Sequence, residues 1–314
     1  MIKKMNNISF KNLIKRSFLI NKIRNFFLLN DYIEVETPLI SKFSDNNNNL
    51  NPIDININNN KYYLITSPEF HMKRLLSRNP SKSIFQICHS FRNNEYGKYH
   101  NIEFTILEWY KLKSNLFDIM NETDLLLKNI FNYKKSKFIK YIDIFYKYLN
   151  INPLYCNNNI LINILKKNNI SVNKIYDLDS LLELTFDLLI KPKIGHKNPI
   201  FIYFFPKNQS FNSTINKKNN LSNRFEVYFK GIELANGFNE ITDYLCQKKI
   251  LEKQNEIRFK KKLPIIKIDK NFIYSIKKGI PKCSGVSLGI DRLIMIYLNL
   301  YELKNSISFD FYSS

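Results

Sequence analysis

The sequence predicts an α+β fold, an antiparallel β-sheet flanked by helices, on three observations. SFRNNEYGKYHNIEFTILEWY (90–110) sets two alternating apolar segments around a polar, glycine-containing centre, the pattern of two antiparallel strands joined by a long loop. RFEVYFKGIELANGF (224–238) alternates around Lys230-Gly231 and reads as a hairpin. FKNLIKRSFLINKIRNFFLL (10–29) carries Phe10, Leu13, Ile14, Phe18, Ile23, Phe26 and Phe27 at helical spacing.

The remaining elements follow in order. After the first helix, YIEVETP alternates like a strand and stops at Pro38. Residues 44–60 are Asn-rich and read as strand ends with loosely held loops. ITSPEFHMKRLL turns at Ser67-Pro68 into a helix, with Pro68 suited to its first turn. From about 111 to 191 the pattern is mostly helical, with DIMNETDLLLKNIF and DSLLELTFDLLI the clearest cases. NPIFIYFFP (198–206) is a buried strand, and QKKILEKQNEIRFKKK is a charged surface helix. CSGVSLGIDRLIMIYL passes from a glycine-flanked strand directly into an apolar helix. With no internal repeat and no Gly/Ser linker, the expectation is one domain over 1–314 with a mostly helical insertion at about 111–191.

Composition excludes several classes. No run reaches the roughly 18 apolar residues of a membrane span, and MIKKMNNISF lacks the apolar centre of a signal peptide, so a cytoplasmic protein is expected. Cys88, Cys156, Cys246 and Cys283 form no CxxC pair, and His71, His89, His100 and His196 show no metal-ligand spacing. The net charge of +21 fits a polyanionic or acidic partner, but Lys, Asn and Ile dominate throughout, as drift toward A and T in the coding sequence would produce.

Against that background a few residues stand out. The only alanine, Ala235, and the only tryptophan, Trp109, lie in the segments above, and five of seven glycines (Gly97, Gly231, Gly237, Gly285, Gly289) fall in three short stretches. Only eight of the 48 basic residues are Arg, and Arg92, Arg224 and Arg292 lie in or beside those stretches. Arg supplies a planar, permanently charged fork that Lys does not reproduce on a phosphate. Three separated segments are therefore expected to converge on one anionic ligand.

The helix-strand ending VETP, FRNNEYGKYHNIEF and GVSLGIDRLIMI resemble, in order, the three defining motifs of class II aminoacyl-tRNA synthetases, and the linking TSPEFHMKRLL and ELANGFNE point to the lysyl branch. Closer still are the truncated lysyl-tRNA synthetase paralogues that ligate (R)-β-lysine to elongation factor P. That likeness runs from about residue 10 to the C-terminus. Only about nine residues precede the first helix, so no OB-fold anticodon-binding domain and no stable tRNA binding are expected.

The resemblance implies a homodimer formed through the first helix and strand, ATP and Mg²⁺ as cofactors, and lysine or (R)-β-lysine as substrate. It implies that Arg92 contacts the ATP α-phosphate and Arg292 the γ-phosphate, where cationic donors meet developing charge. Asn93, Asn94, His100, Asn101, Leu234 and Gly289 would line the nucleotide site, with Phe104 stacking on adenine. Asn94 stands where the family has Glu as acceptor for the adenine amino group; an amide oxygen still accepts that bond, and Glu95 is a neighbouring substitute. Glu226 and Glu233, diagonal neighbours if Lys230-Gly231 is the turn, would hold Mg²⁺. Ser67, Pro68, Glu69, Glu108, Tyr110, Asn236, Phe238 and Glu240 would form the amino-acid pocket. Two ammonium groups need at least two buried acceptors; the resemblance gives Glu240 and Tyr110 the distal ammonium and Glu69 the nearer amine. Ser287 stands where the β-lysine ligases have Ala and lysyl-tRNA synthetases have Gly, which leaves the choice between α- and β-lysine open. The alternatives are a surface ion pair for Arg92, a pair with Asp291 for Arg292, a core position for Phe104, a solvated pair for Glu226 and Glu233, and paired surface acids in the pocket. The implied reaction is attack of the amino-acid carboxylate on the ATP α-phosphorus, then transfer from the adenylate to a lysine ε-amine; the base for that transfer is not identified by the sequence.

Overall fold

The computed structural model describes residues 8–172, 176–210 and 212–314; residues 1–7, part of the stretch expected to lack a signal peptide, lie outside them. In chain order the main elements are α1 (Phe10–Leu29), β1 (Ile33–Glu34), β2 (Ile40–Ser41), β3 (Asp54–Ile57), β4 (Asn60–Leu64), α2 (Glu69–Arg78), β5 (Ile84–Phe91), β6 (Glu103–Leu112) and α3 (Leu116–Phe131). Then come β7 (Lys137–Lys140), α4 (Tyr141–Leu149), α5 (Asn158–Lys167), α6 (Leu178–Thr185), β8 (Ile200–Phe205), β9 (Ser222–Phe229) and β10 (Ile232–Asn239). The chain ends with α7 (Tyr244–Lys260), α8 (Lys270–Lys278), β11 (Cys283–Gly289) and α9 (Ile290–Tyr297). It divides into two compact units, residues 1–132 with 239–314, and residues 133–238.

In the first unit β5, β6 and β11 form antiparallel ladders, with Ile84 opposite Tyr110 and Glu108 opposite Ser287. The short β1 adds to the edge in parallel, Ile33 opposite Ile84, so the sheet is not wholly antiparallel. A parallel pair needs a crossover of about a dozen residues or more, which β2, β3, β4 and α2 supply between β1 and β5. Alternation along LEWY puts Leu107 and Trp109 on one face and Glu108 and Tyr110 on the other. Trp109 is fully buried among Phe27 and its neighbours, and its indole N–H donates to Glu122 at 3.1 Å. The single tryptophan therefore serves the core. Glu122 also accepts from Tyr32 and Lys111, both at 2.5 Å. Phe70, Met72 and Leu76 of α2 pack with Leu251, Phe272 and Ile276 of α7 and α8 beneath the other face.

The Asn-rich stretch is held rather than loose. Asn46 is fully buried and donates to Ile266 O at 2.6 Å, Asn48 donates to Gln254 Oε1 at 2.7 Å, and Arg258 donates to the carbonyls of Asn47 and Leu50 at 2.9 and 3.0 Å. Arg258 and Gln247 are accordingly buried, so α7 is not purely the surface helix its charge suggests.

In the second unit the strands run β10, β9, β8, β7, antiparallel except for the parallel pair β7 and β8. Helices α4 to α6 and a π-helical turn, Phe186–Ile190, bury Phe145, Leu161, Leu182 and Phe186 in a core of their own. The hairpin turn lies at Lys230-Gly231, whose φ values of 50° and 72° are the left-handed pair that a two-residue turn requires.

Candidate active site

The first unit carries a buried acidic pocket. Glu69 opens α2 directly after Pro68, where the helix dipole favours a carboxylate. One turn on, Lys73 is 1% exposed, and its ammonium lies 2.7 Å from Glu69 Oε1 and 2.5 Å from Glu240 Oε2. Burial alone would lower that ammonium's pKa, but Glu240 and Glu69 together raise it. From β6, Glu108 accepts the Tyr110 hydroxyl at 2.6 Å on one oxygen and the Ser287 hydroxyl at 2.7 Å on the other. The Glu108–Ser287 register places those groups face to face. Gly285, opposite Tyr110, is required by this packing: a Cβ there would sit 2.5 Å from both Glu240 Oε1 and the Tyr110 ring. Its space is taken by the pocket's own side chains rather than left for a nucleotide.

The electrostatics show a shortage of positive charge. Burial and the neighbouring Glu69 push Glu108 up to about 8, against the pull of Tyr110 and Ser287. Burial pushes Glu240 up to about 7, although Lys73 pulls it down. One lysine thus serves three acids, and an incoming cation would relieve all of them. Ser67 is half-buried and its hydroxyl accepts from Glu69 N–H at 3.4 Å.

At the far end of β5, Arg92 has its guanidinium 5.0 Å from the Phe104 ring centroid, and its buried Nε has no hydrogen-bond partner among the described residues. Its contact with Glu95 is long, 3.8 Å, and part-exposed. An unsatisfied guanidinium donor suits an anion. Arg292, at the start of α9, donates to Tyr99 O at 3.1 Å, on the same 92–102 loop that Arg92 closes through Ile102 O. Asp291 is paired with Arg16 at 2.7 Å and accepts Thr105 N–H. Phe104, opposite Ser90, is half-buried. Asn93, Asn94 and His100 are exposed on the loop. Asn94 has φ 64°, a conformation Asn adopts more readily than Glu. The buried Asn101 donates to Glu103 O and accepts Phe311 N–H. Gly289 opens toward Arg292, its nearest neighbour at 3.7 Å from an added Cβ.

In the second unit, Glu233 lies opposite Tyr228 and Asn236 opposite Glu226, with a bulge between Glu233 and Ala235, so the two acids are diagonal neighbours. Glu226 accepts from Arg224 and from Tyr228. Burial raises it to about 7; Arg224 opposes that shift and Glu233 reinforces it. Arg224 also donates to Asn236 Oδ1 at 3.2 Å and lies 5.9 Å from the Phe238 ring centroid. Leu234 is buried. The residual repulsion between the carboxylates is what a divalent cation would neutralise. Among the described residues no group of three or more His, Cys, Asp or Glu could hold a metal.

Two residues escaped the sequence reading. The i, i+4 spacing of Glu69 and Lys73 was a legible signal for an ion pair. Asp45, hidden in the Asn-rich stretch, gave none; it lies in electrostatic contact with Glu69, Arg92 and Lys73.

A family model described as tRNA synthetases class II (D, K and N) matches residues 1–311. The chain is 46% identical to the elongation factor P--(R)-beta-lysine ligase of Buchnera aphidicola subsp. Schizaphis graminum over 314 residues, covering 96% of each chain. It is 41% identical to the protein of that name from Yersinia pestis (strain Pestoides F), covering 95% of this chain and 94% of the relative. The corresponding figures for Baumannia cicadellinicola are 40%, 96% and 95%. Among the described residues no helix is long and apolar enough to cross a membrane.

Proposed function

Because the chain belongs to the class II tRNA synthetases of the D, K and N group, we propose that it is an ATP-dependent ligase that activates (R)-β-lysine, or lysine, and transfers it to the ε-amine of a lysine on elongation factor P in the cytoplasm. The observation that carries the substrate is the pocket of Glu69, Glu108 and Glu240, three acids sharing one buried lysine. A diamino acid brings two ammonium groups to it, and an amide-forming site for asparagine has no use for so many buried carboxylates.

Activation needs the substrate carboxylate held toward the α-phosphorus of ATP. Ammonium binding in the acidic pocket orients the chain, and Arg92, with its unsatisfied Nε, receives the phosphoryl charge that develops as pyrophosphate leaves. Arg292, which donates to Tyr99 O of the 92–102 loop, would act on the γ-phosphate. Glu226 and Glu233 would hold Mg²⁺, which supplies further neutralisation of phosphate when bound. No covalent enzyme intermediate is needed, because the adenylate is itself the activated acyl group.

The test is isotope exchange between pyrophosphate and ATP, followed by addition of an acceptor. Exchange stimulated by (R)-β-lysine, with label then appearing on purified elongation factor P, is expected. Label moving to tRNA, or no exchange with any amino acid, would overturn the reading.

The homodimer is proposed on α1. Leu19, Ile23 and Phe27 face the sheet, whereas Phe10, Phe18 and Leu29, on the opposite arc, are 77%, 62% and 86% exposed. A helix apolar on two faces needs two partners, and a second copy is the one proposed. Sedimentation should give a dimer, and Phe18→Glu should shift it toward monomer; a monomeric parent chain would refute this.

A further inference from the structure

The loop 42–51 is held with unusual care for a stretch so rich in Asn. Besides its two loop carbonyls, Arg258 donates to Pro264 O at 2.8 Å and is 1% exposed, while Gln254 accepts both the Asn48 backbone and side-chain N–H. The residue positioned by this framework is Asp45. Among the described residues its one hydrogen bond comes from Asn47 N–H, at 2.9 Å. With Ser44, Ser67 and His71 it lines a cavity of about 20 Å³, room for one water. The Ser44 hydroxyl in that lining is buried and has no partner among the described residues. The cavity is therefore polar and incompletely satisfied, and Ser67 and Phe70 in its lining flank Glu69 of the amine pocket in sequence.

We propose that Asp45 is the base that takes the proton from the attacking ammonium in the transfer half-reaction. This rests on the ligase reading above. In the adenylate the acyl carbon lies between the phosphate that Arg92 holds and the amine that Glu69 holds. Asp45 shares its cavity with Ser67, which accepts the Glu69 N–H, and its loop accepts the N–H of Asn93, next to Arg92, on Asn51 O at 2.8 Å, so its carboxylate is placed between those two groups. The other acids are committed: Glu69 and Glu240 to Lys73, and Glu108 to Tyr110 and Ser287.

The acceptor lysine arrives as an ammonium, and only its neutral form is a nucleophile. Asp45 accepts one proton, and the freed lone pair forms the C–N bond. The C–O bond to phosphate breaks, its electron pair leaves on AMP, and the nitrogen's second surplus proton passes to water. Burial first, then the charge of Glu69, push Asp45 up to about 6; Asn47 N–H, Arg92 and Lys73 pull the other way. It is thus mostly ionised at neutral pH yet able to hold a proton. The charged groups facing it are Glu69 and Lys73 from α2, Arg92 from the end of β5 and Arg258 from α7. His71, whose pKa burial and Arg74 lower, and Asp269 lie across the cavity.

Asp45→Asn keeps size and shape. Its (R)-β-lysine-dependent pyrophosphate exchange should stay within about threefold of the parent, which also reports a folded pocket. Single-turnover transfer from preformed adenylate to elongation factor P should fall about 10²- to 10³-fold. Parent transfer should inflect near pH 6, and the variant should lose that inflection and recover as pH rises toward the ordinary lysine range, about 10.4. Transfer at the parental rate, or exchange falling in parallel with transfer, would overturn the assignment; the latter would make Asp45 an amine-binding residue. Absence of exchange in the parent protein would overturn the ligase reading itself, and the assignment with it.

Discussion

Lys73→Met should cost about 3–5 kcal/mol of folding stability at pH 8.5, the penalty for removing one partner of a buried ionic network. Lys73 is 1% exposed and is the cation within 2.7 Å of both Glu69 and Glu240. Without it, Glu240, already raised to about 7 by burial and Glu69, loses its main opposing influence and rises further. Its pKa in the folded chain would then lie well above the unfolded value of roughly 4.3. Across that interval the folded state binds more protons than the unfolded one, so the variant's stability falls as pH rises. Urea unfolding should therefore show a larger deficit at pH 8.5 than at pH 5.5. A deficit below about 1 kcal/mol at pH 8.5 would mean that the ammonium is not compensating buried charge. Lys73→Met combined with Glu240→Leu should recover much of the stability while losing substrate affinity, because well-packed apolar groups replace a buried ion pair at little cost.

Arg92→Ala should lower the rate of pyrophosphate exchange about 10²- to 10³-fold, the loss expected when one preorganised donor to developing phosphoryl charge is removed. Structural consequences should be small, because the guanidinium's partners among the described residues, a 3.8 Å approach to Glu95 and the face of Phe104, are weak ones. Arg92→Lys should rescue little, since an ammonium does not reproduce the planar fork. The thermal midpoint of Arg92→Ala should stay close to the parent's, and β-lysine binding by calorimetry should persist. Exchange that survives the substitution would remove Arg92 from the reaction.

Much of the local structure was legible. The first helix, the two long strands, the hairpin with its turn at Lys230-Gly231 and the strand-to-helix passage at Gly289 all follow from period, turn chemistry and Pro or Gly placement. The parallel edge pairs β1 with β5 and β7 with β8 did not, because strand direction depends on what the intervening chain packs against. Trp109 shows the limit of rarity as a guide. It was singled out with the site residues, yet strand alternation turns it to the opposite face from Glu108 and Tyr110, where its size fills the core beside Phe27 and Glu122.

The kinds of side chain available to the site were determined by the sequence alone: arginines among many lysines, carboxylates at strand spacing, and an acid opening a helix after Pro68. Which of those charges are buried, and against what, was decided only in three dimensions. Ser287 meets Glu108 across 179 positions, and Lys73 meets Glu240 across a separation nearly as long. Arg258 secures the loop of Asp45 from α7. Burial and Coulomb interaction depend on distance through space, which periodicity along a chain does not encode.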